Sequence, residues 1–287
     1  MRSLKVILTS LLSTALILAL WVSCTERIDV SLDESYTRLV IEGAITTDTT
    51  SHCVKLTTTS SYFVNQAAPL VSGALVTISD ELQSETLHED SAGFYRTRSN
   101  FYGLPGHTYQ LNIGLKQPIG GHKEYSASSY LFPVHPLDSV RLLFHKDWSR
   151  EGLWEVKCYV QEPPSVDFYR FLVYRNDKLI TDSLNEWYVT DDKFFNGNYT
   201  NGASVAFLRQ GRPDEMLKPG DKVTIEVNNI GKEYANFLWE AQAESRGGNP
   251  LFSGPPANVK GNISNGGVGF FVAYSATRSS DVAPEKW

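Results

Sequence analysis

The sequence predicts a mainly β protein that carries one α-helix. Short runs of alternating apolar and polar residues recur along the chain, and clusters of Gly, Pro, Asn and Asp separate them. A helical period of useful length occurs near the end of the chain. We therefore predict a β-sandwich domain over residues 28–132 and a second β-rich domain over residues 138–287, in which the helix lies.

The strands of the first predicted domain are predicted from residues that alternate between an apolar and a polar face. The apolar members are Leu39, Ile41 and Ile45, then Val54 and Leu56, then Val76 and Ile78, and finally Tyr109, Leu111 and Ile113. A Pro-Gly turn at 105–106 leads into the last of these runs, as it does in many immunoglobulin-like and transthyretin-like sandwiches. The pattern predicts a sandwich of that kind.

The second predicted domain follows a stiff connection that contains Pro133 and Pro136. Its predicted strands contain Trp154, Val156, Cys158 and Val160, then Phe171 and Val173, then Val223, Ile225 and Val227, and finally the run 268–274. The helix is predicted over residues 232–245, because apolar residues recur there at i, i+3, i+4 and i+7. Gly247, Gly248 and Pro250 would end it.

The N-terminus has the layout of an export signal. Arg2 and Lys5 precede an apolar stretch over residues 6–22, and the chain turns polar directly after Cys24. A small residue before a cysteine is what lipoprotein signal peptidase recognises, so we predict a signal peptide over 1–23, a lipidated Cys24 and a tether over 24–37. Several acyl chains, such as palmitate, hold a protein firmly at a membrane. Secretion without a lipid and a retained anchor helix are the alternatives.

Charge and cysteine content exclude some classes of function. Loss of Arg2 and Lys5 with the signal leaves 24 basic residues against 32 acidic ones, a net charge of −8. Nucleic acid is therefore excluded as a partner, because its phosphates need a basic surface. Cys53 and Cys158 are predicted to be two buried thiols, with a disulfide as the alternative.

Four features in order along the chain resemble one bacterial lipoprotein family. They are LVIEGAIT at 39–46; TSSYF at 59–63 with VSGA at 71–74 and VTISD at 76–80; YSASS at 125–129; and NPLF, PPAN, GNI and GFFVAYS within 249–275. Together they resemble the lipoproteins grouped as domain of unknown function 4249. The resemblance implies an outer-membrane or periplasmic lipoprotein of Gram-negative bacteria, encoded beside TonB-dependent receptors. It implies no reaction and no catalytic residue.

A search for chemistry in the sequence finds no motif of an enzyme or a metal site. A Gly-x-Ser-x-Gly elbow is missing, and the six histidines lie at least ten residues apart, most in turn-like polar segments that predict exposed side chains. Asp191 and Asp192 are candidate calcium ligands, but no Asp-x-Asp-x-Asp-Gly loop surrounds them, and a solvated turn is the favoured interpretation. We predict no catalytic residue, no metal and no cofactor. An active site assembled from distant residues is the alternative.

One polar, turn-rich segment is crowded with aromatic residues. It contains Trp187, Tyr188, Phe194, Phe195 and Tyr199. Exposed rings beside amide side chains can stack on sugars or anchor a protein partner. These residues are the predicted contacts to a ligand or partner, and the alternative is a hairpin whose rings cover the sandwich core.

These observations predict a lipoprotein of the cell envelope without enzymatic activity. Its predicted place is the outer membrane, held by the lipid on Cys24. The leading hypothesis is an accessory protein that helps a TonB-dependent receptor to capture or take up a ligand. The alternatives are a glycan- or peptide-binding lipoprotein that acts alone and a structural protein of the envelope.

Overall fold

The computed structural model describes residues 37–60, 67–246 and 259–287. The predicted signal peptide, Cys24 and nearly all of the tether lie outside these residues, and so do parts of the family features around 61–63 and 249–258. The fold is mainly β with one α-helix, as predicted.

Sixteen strands and two helical segments make up the described residues. The strands are β1 (Leu39–Thr46), β2 (Cys53–Thr58), β3 (Leu75–Ser79), β4 (Ser84–Thr86), β5 (His88–Ser91), β6 (Phe94–Arg96), β7 (Thr108–Ile119), β8 (His122–Tyr130), β9 (Ser139–His145), β10 (Leu153–Tyr159), β11 (Phe168–Arg175), β12 (Lys178–Leu179), β13 (Tyr188–Asp191), β14 (Ala203–Arg209), β15 (Lys222–Ile230) and β16 (Val268–Val282). A short 3-10 helix spans Leu184–Glu186, and the α-helix, α1, spans Lys232–Ser245. No helix of the described residues has the length and apolar character needed to cross a membrane.

Three sheets form the framework. The largest has nine strands: eight follow the order β12-β11-β15-β16-β1-β2-β6-β5, and β13 pairs with β11. A four-stranded sheet, β4-β3-β7-β8, and a three-stranded sheet, β14-β10-β9, cover parts of it. The architecture is consistent with the predicted sandwich class.

The core of the first half lies between the four-stranded sheet and strands β1, β2 and β16 of the large sheet. Along β7 the side chains of Tyr109, Leu111 and Ile113 are buried, whereas those of Gln110 and Asn112 are exposed. This period of two is what the sequence pattern predicted, because successive side chains of a strand point to opposite faces. The other predicted apolar faces, on β1, β2 and β3, are buried as well.

The second half has two clusters of buried side chains. One lies between the three-stranded sheet and strands β11 and β15, and Trp154 at its centre is 1% exposed. The other lies under α1, where Leu238 and Ala235 pack on Val189 and Ile230. The bounds of α1 agree with the prediction of a helix over 232–245.

Strand β16 belongs to both halves of the chain. Its first part, Val268 to Tyr274, pairs in parallel with β1, and Phe271 and Ala273 are buried in the first core. Its second part, Ser275 to Val282, pairs antiparallel with β15. The described residues form one compact unit. The division into domains 28–132 and 138–287 stays a prediction about folding units, and β16 is the strand that any such division has to share.

Cys53 and Cys158 are free thiols, as predicted. Cys158 on β10 is buried, and burial raises the pKa of its thiol to about 12. Cys53 on β2 is half-buried instead of buried, because it sits on the face of β2 opposite Val54 and Leu56.

Candidate functional site

A cavity of about 230 Å³ opens between the large sheet and the three-stranded sheet. Its walls come from β11, β13 and β15 on one side and from β10 and β14 on the other, and the turn between β13 and β14 borders it. Apolar groups of Phe171, Val205 and Val227 lie beside the carboxyl groups of Glu162 and Asp192. Sites for drug-sized ligands have volumes of roughly 300–1,000 Å³, so this cavity fits a small molecule or one end of a longer one.

Three of the five predicted contact residues line this cavity: Tyr188, Phe194 and Phe195. Phe194 is 90% exposed and Tyr188 is 46% exposed. Tyr199 is partly exposed, forms an isolated β-bridge with Gln161 and does not line the cavity. The structure therefore brings together most of the aromatic segment at the mouth of one cavity.

The turn that carries Phe194 is held by hydrogen bonds from several sides. The backbone N–H groups of Phe195 and Asn196 donate to the carbonyl of Asp192 at 2.7 and 2.8 Å. The Asn196 side chain donates to the carbonyl of Ser165 at 2.6 Å. Because its backbone is fixed in this way, the turn presents the Phe194 ring to solvent instead of packing it into the core. An apolar ring held in water is a common feature of contact sites.

Trp187 lies apart from the cavity. Its Nε1–H donates to the carbonyl of Thr181 at 3.1 Å, and the guanidinium of Arg170 lies 4.7 Å from its ring centroid. The ring packs on the cluster under α1. Within the described structure Trp187 therefore packs against the helix cluster and does not contact the cavity. A run of neighbouring aromatic residues in the sequence does not show which of them pack in the core and which can contact a ligand.

Three buried carboxylates meet at one end of the cavity. Glu162, Asp167 and Asp192 each offer an oxygen, and these oxygens lie within 4.8 Å of one another. The residues are 8%, 6% and 3% exposed. Asp167 comes directly before β11 and Asp192 directly after β13, and these strands pair antiparallel, with Phe168 opposite Asp191. Strand pairing therefore places the two aspartates side by side.

Neighbouring polar groups hold two of the three carboxylates. The Tyr169 hydroxyl donates to Glu162 Oε2 at 2.8 Å. Asp167 accepts hydrogen bonds from the Ser165 hydroxyl at 2.6 Å and from the Asn229 side-chain amide at 2.9 Å. Two oxygens of this group, Asp192 Oδ2 and Asn229 Oδ1, are buried and have no hydrogen-bond partner.

The electrostatics of the cluster are unfavourable to several negative charges at once. Burial raises the pKa of Glu162 above its ordinary value, and the charges of Asp167 and Asp192 raise it further, against the hydrogen bond from Tyr169. Burial likewise raises the pKa of Asp192, and the charges of Asp167 and Asp191 add to this. The cluster therefore favours a bound proton or a bound cation.

None of the described histidines lines the cavity, although the charge of His135 acts on Glu162. His52 is 5% exposed, so the prediction of exposed histidines is wrong there. Its Nε2 lies 3.0 Å from the Thr46 hydroxyl and its ring meets Phe101 edge-on, and burial lowers its pKa. The turn-like polar sequence around His52 does not reveal that its side chain packs against Thr46 at the end of β1.

The outer face of the three-stranded sheet carries an aromatic patch that sequence reasoning did not single out. Leu143 and Phe207 flank Glu155 on neighbouring strands, and they are 42% and 51% exposed. The half-exposed Trp148 stacks on His145, with ring centroids 3.7 Å apart, and lies 6.3 Å from Phe207. We call Leu143, His145, Trp148 and Phe207 the outer patch. The sequence contains one signal for this patch. In β9 and β14 apolar residues lie on both faces of the strand, although only one of these faces packs in the core.

Fold and site together define a β-rich protein with a small, partly acidic cavity between two sheets. The chain belongs to the family described as Domain of unknown function (DUF4249), whose sequence model matches residues 25–280. This match confirms the resemblance. A search of curated proteins found no match.

Proposed function

We propose that this protein is a lipid-anchored protein of the outer membrane that captures a ligand in the cavity and works beside a TonB-dependent receptor, without catalysing a reaction. The observation that carries the proposal is the cavity itself, with the solvent-exposed Phe194 on a fixed turn at its mouth. A rigid aromatic group beside a preformed cavity supports binding, because little conformational entropy is lost when a ligand docks.

The outer patch supports the receptor part of the proposal. Trp148 and Phe207 together expose two large rings on one sheet face, and interfaces use such rings as anchors. None of the four residues of the outer patch lines the cavity. A partner bound to the outer patch would therefore leave the cavity free for its ligand.

The test is a pull-down of the tagged protein, expressed at its native level, from detergent-solubilised envelopes. We expect a TonB-dependent receptor to co-purify in stoichiometric amount with the wild type. The variant with Trp148→Ala and Phe207→Ala is expected to lose most of it, because truncating anchor rings costs about 2 kcal/mol or more each at an interface.

Phe194→Ala is the matched control, since it also removes an exposed ring and lies on the cavity side. It is expected to retain the receptor. Recovery of the wild type alone, with its lipid intact, would contradict the accessory role.

A second candidate is a glycan- or peptide-binding lipoprotein that acts alone. The observation in its favour is the pair of amide side chains near Phe194. Asn196 and Asn198 lie on the same exposed turn, and amide groups beside an aromatic ring are suited to binding sugars.

For this candidate we expect binding on glycan or peptide arrays that falls about tenfold in Phe194→Ala, which corresponds to the roughly 1.4 kcal/mol of one lost stacking contact. Phe207→Ala is the control and should bind as the wild type does. The single change is preferable to a change of Trp187, whose ring packs under α1. Equal binding by Phe194→Ala and the wild type would exclude this role for the turn.

A further inference from the structure

We propose that Glu162, Asp167 and Asp192 form a binding site for a hard divalent cation of the calcium type. The site lies where the segment after β10, the start of β11, the end of β13 and strand β15 meet. It goes beyond the capture of a ligand, since an ion can bind here with the rest of the cavity empty.

The donor atoms decide the class of ion. The three acidic residues supply carboxylate oxygens, which are ligands that calcium prefers. The oxygens of two ligands about 2.4 Å from a calcium ion lie at most about 4.8 Å apart. The three carboxylate oxygens already lie within 4.8 Å of one another, so the residues need little movement to hold such an ion.

Two unpaired oxygens point independently to a missing partner. Asp192 is 3% exposed and Asn229 is 2% exposed, yet Asp192 Oδ2 and Asn229 Oδ1 have no hydrogen-bond partner. The Asn229 amide nitrogen donates to Asp167 Oδ1 at 2.9 Å, so this amide group lies against the cluster. Buried acceptors without a partner are costly, and a cation bound to the cluster would satisfy Asp192 Oδ2.

The charge of the cluster is also uncompensated in the described part of the chain. None of the ion pairs found there joins a lysine or arginine to Glu162, Asp167 or Asp192, although the neighbouring Asp191 pairs with Lys193 at 2.6 Å. Buried carboxylates are normally paired or bound to metal. A divalent cation supplies the charge that the protein does not.

One side of the cluster remains open for further ligands. Glu162 and Asp192 line the cavity, so water or an oxygen of a captured molecule can complete the six to eight oxygens that calcium takes. Tyr169 bonds to Glu162 at 2.8 Å and lies close enough to transfer excitation energy to a lanthanide bound in the same place.

The test uses the purified mature chain and the metal ion alone. We expect one Tb³⁺ per chain to bind with luminescence excited through aromatic residues, Ca²⁺ to displace it, and Ca²⁺ to raise the unfolding temperature. Asp192→Asn is expected to weaken Ca²⁺ binding at least about tenfold, because it removes a charged ligand. Without metal this variant should be at least as stable as the wild type, since it relieves repulsion between carboxylates.

Asp191→Asn is the matched control and is expected to bind Ca²⁺ nearly as the wild type does. Asp167→Asn is a second test, in case Asp192→Asn does not fold, and is expected to show the same loss of binding. Two results would each overturn the site: no Ca²⁺ binding by the wild type up to about 1 mM, the weak end of the affinities of extracellular calcium modules, or equal loss in Asp191→Asn and Asp192→Asn. Because no ligand or receptor enters this test, its result is independent of the proposed function.

Discussion

Replacement of Gly269 by alanine is expected to lower the free energy of unfolding by at least about 3 kcal/mol. Gly269 on β16 has a φ of +94°, and a Cβ added there would lie 2.1 Å from the backbone oxygen of Ile41. The two residues face each other in the parallel pairing of β16 with β1. A backbone atom cannot rotate away as a side chain can, so the alanine would force the two strands apart.

Urea denaturation of the wild type and the variant measures this effect. The control is Gly266→Ala, in which φ is +72° but nothing lies within 4 Å of the added Cβ. Only the cost of the left-handed backbone, roughly 1 kcal/mol, is expected there. If both variants lost the same amount, the close approach of β16 to β1 would not be the cause.

Gly261 and Gly269 give a physical reason for two of the family features. A Cβ on Gly261 would lie 1.9 Å from the backbone oxygen of Gly269, which in turn contacts β1. Three backbone segments are therefore packed in series where the GNI and GFFVAYS runs meet β1. The sequence showed these glycines as part of a resemblance, but the need for glycine follows from contacts across about 220 residues of chain.

Local patterns predicted the strands and the helix well because their causes are local. The alternation in β7 and the stripe of α1 each depend on residues a few positions apart. Strand β16 was predicted only to Tyr274, whereas it continues to Val282. Its second part, SATRSSDV, has no alternation of apolar residues. That part is a strand because it pairs with β15, and such a partner is not visible in the segment itself.

The candidate site was predictable only where one segment carries it. Tyr188, Phe194 and Phe195 were identified from their crowding in the sequence, and they do line the cavity. Of the acidic cluster, Asp192 alone was considered as a ligand. Glu162 and Asp167 come from the connection between β10 and β11, and the pairing of β11 with β13 brings Asp167 beside Asp192. Without the register of the strands, each is one acidic residue among 32.

The buried Arg170 joins the large sheet to the helix cluster. It is 5% exposed, and its Nε and Nη2 donate to Asn228 Oδ1 at 3.0 and 2.7 Å. Its guanidinium lies 4.8 Å from the ring centroid of Tyr274 and also contacts the ring of Trp187. Asn228 in turn donates to Glu226 at 2.9 Å. One cation therefore satisfies a buried amide and three aromatic contacts, among which Tyr234 is the most distant at 6.0 Å.

Arg170→Met is expected to lower the free energy of unfolding by about 3 kcal/mol, because it leaves the buried Asn228 oxygen without its donors and removes the contacts to the rings, whereas Glu226 keeps its ion pair with Arg278 at 2.7 Å. Arg170→Lys should recover part of this loss, since it restores the charge but not the two hydrogen bonds of the fork. Thermal and urea denaturation measure both variants.

The control is Arg141→Met on β9, where the side chain is exposed and a change within about 0.5 kcal/mol is expected. Equal stability of the variants Arg170→Met and Arg141→Met would mean that the polar chain from Arg170 to Glu226 does not hold the helix cluster to the sheet. A large loss in Arg170→Met alone would show that this polar chain stabilises the packing of the helix cluster on the sheet.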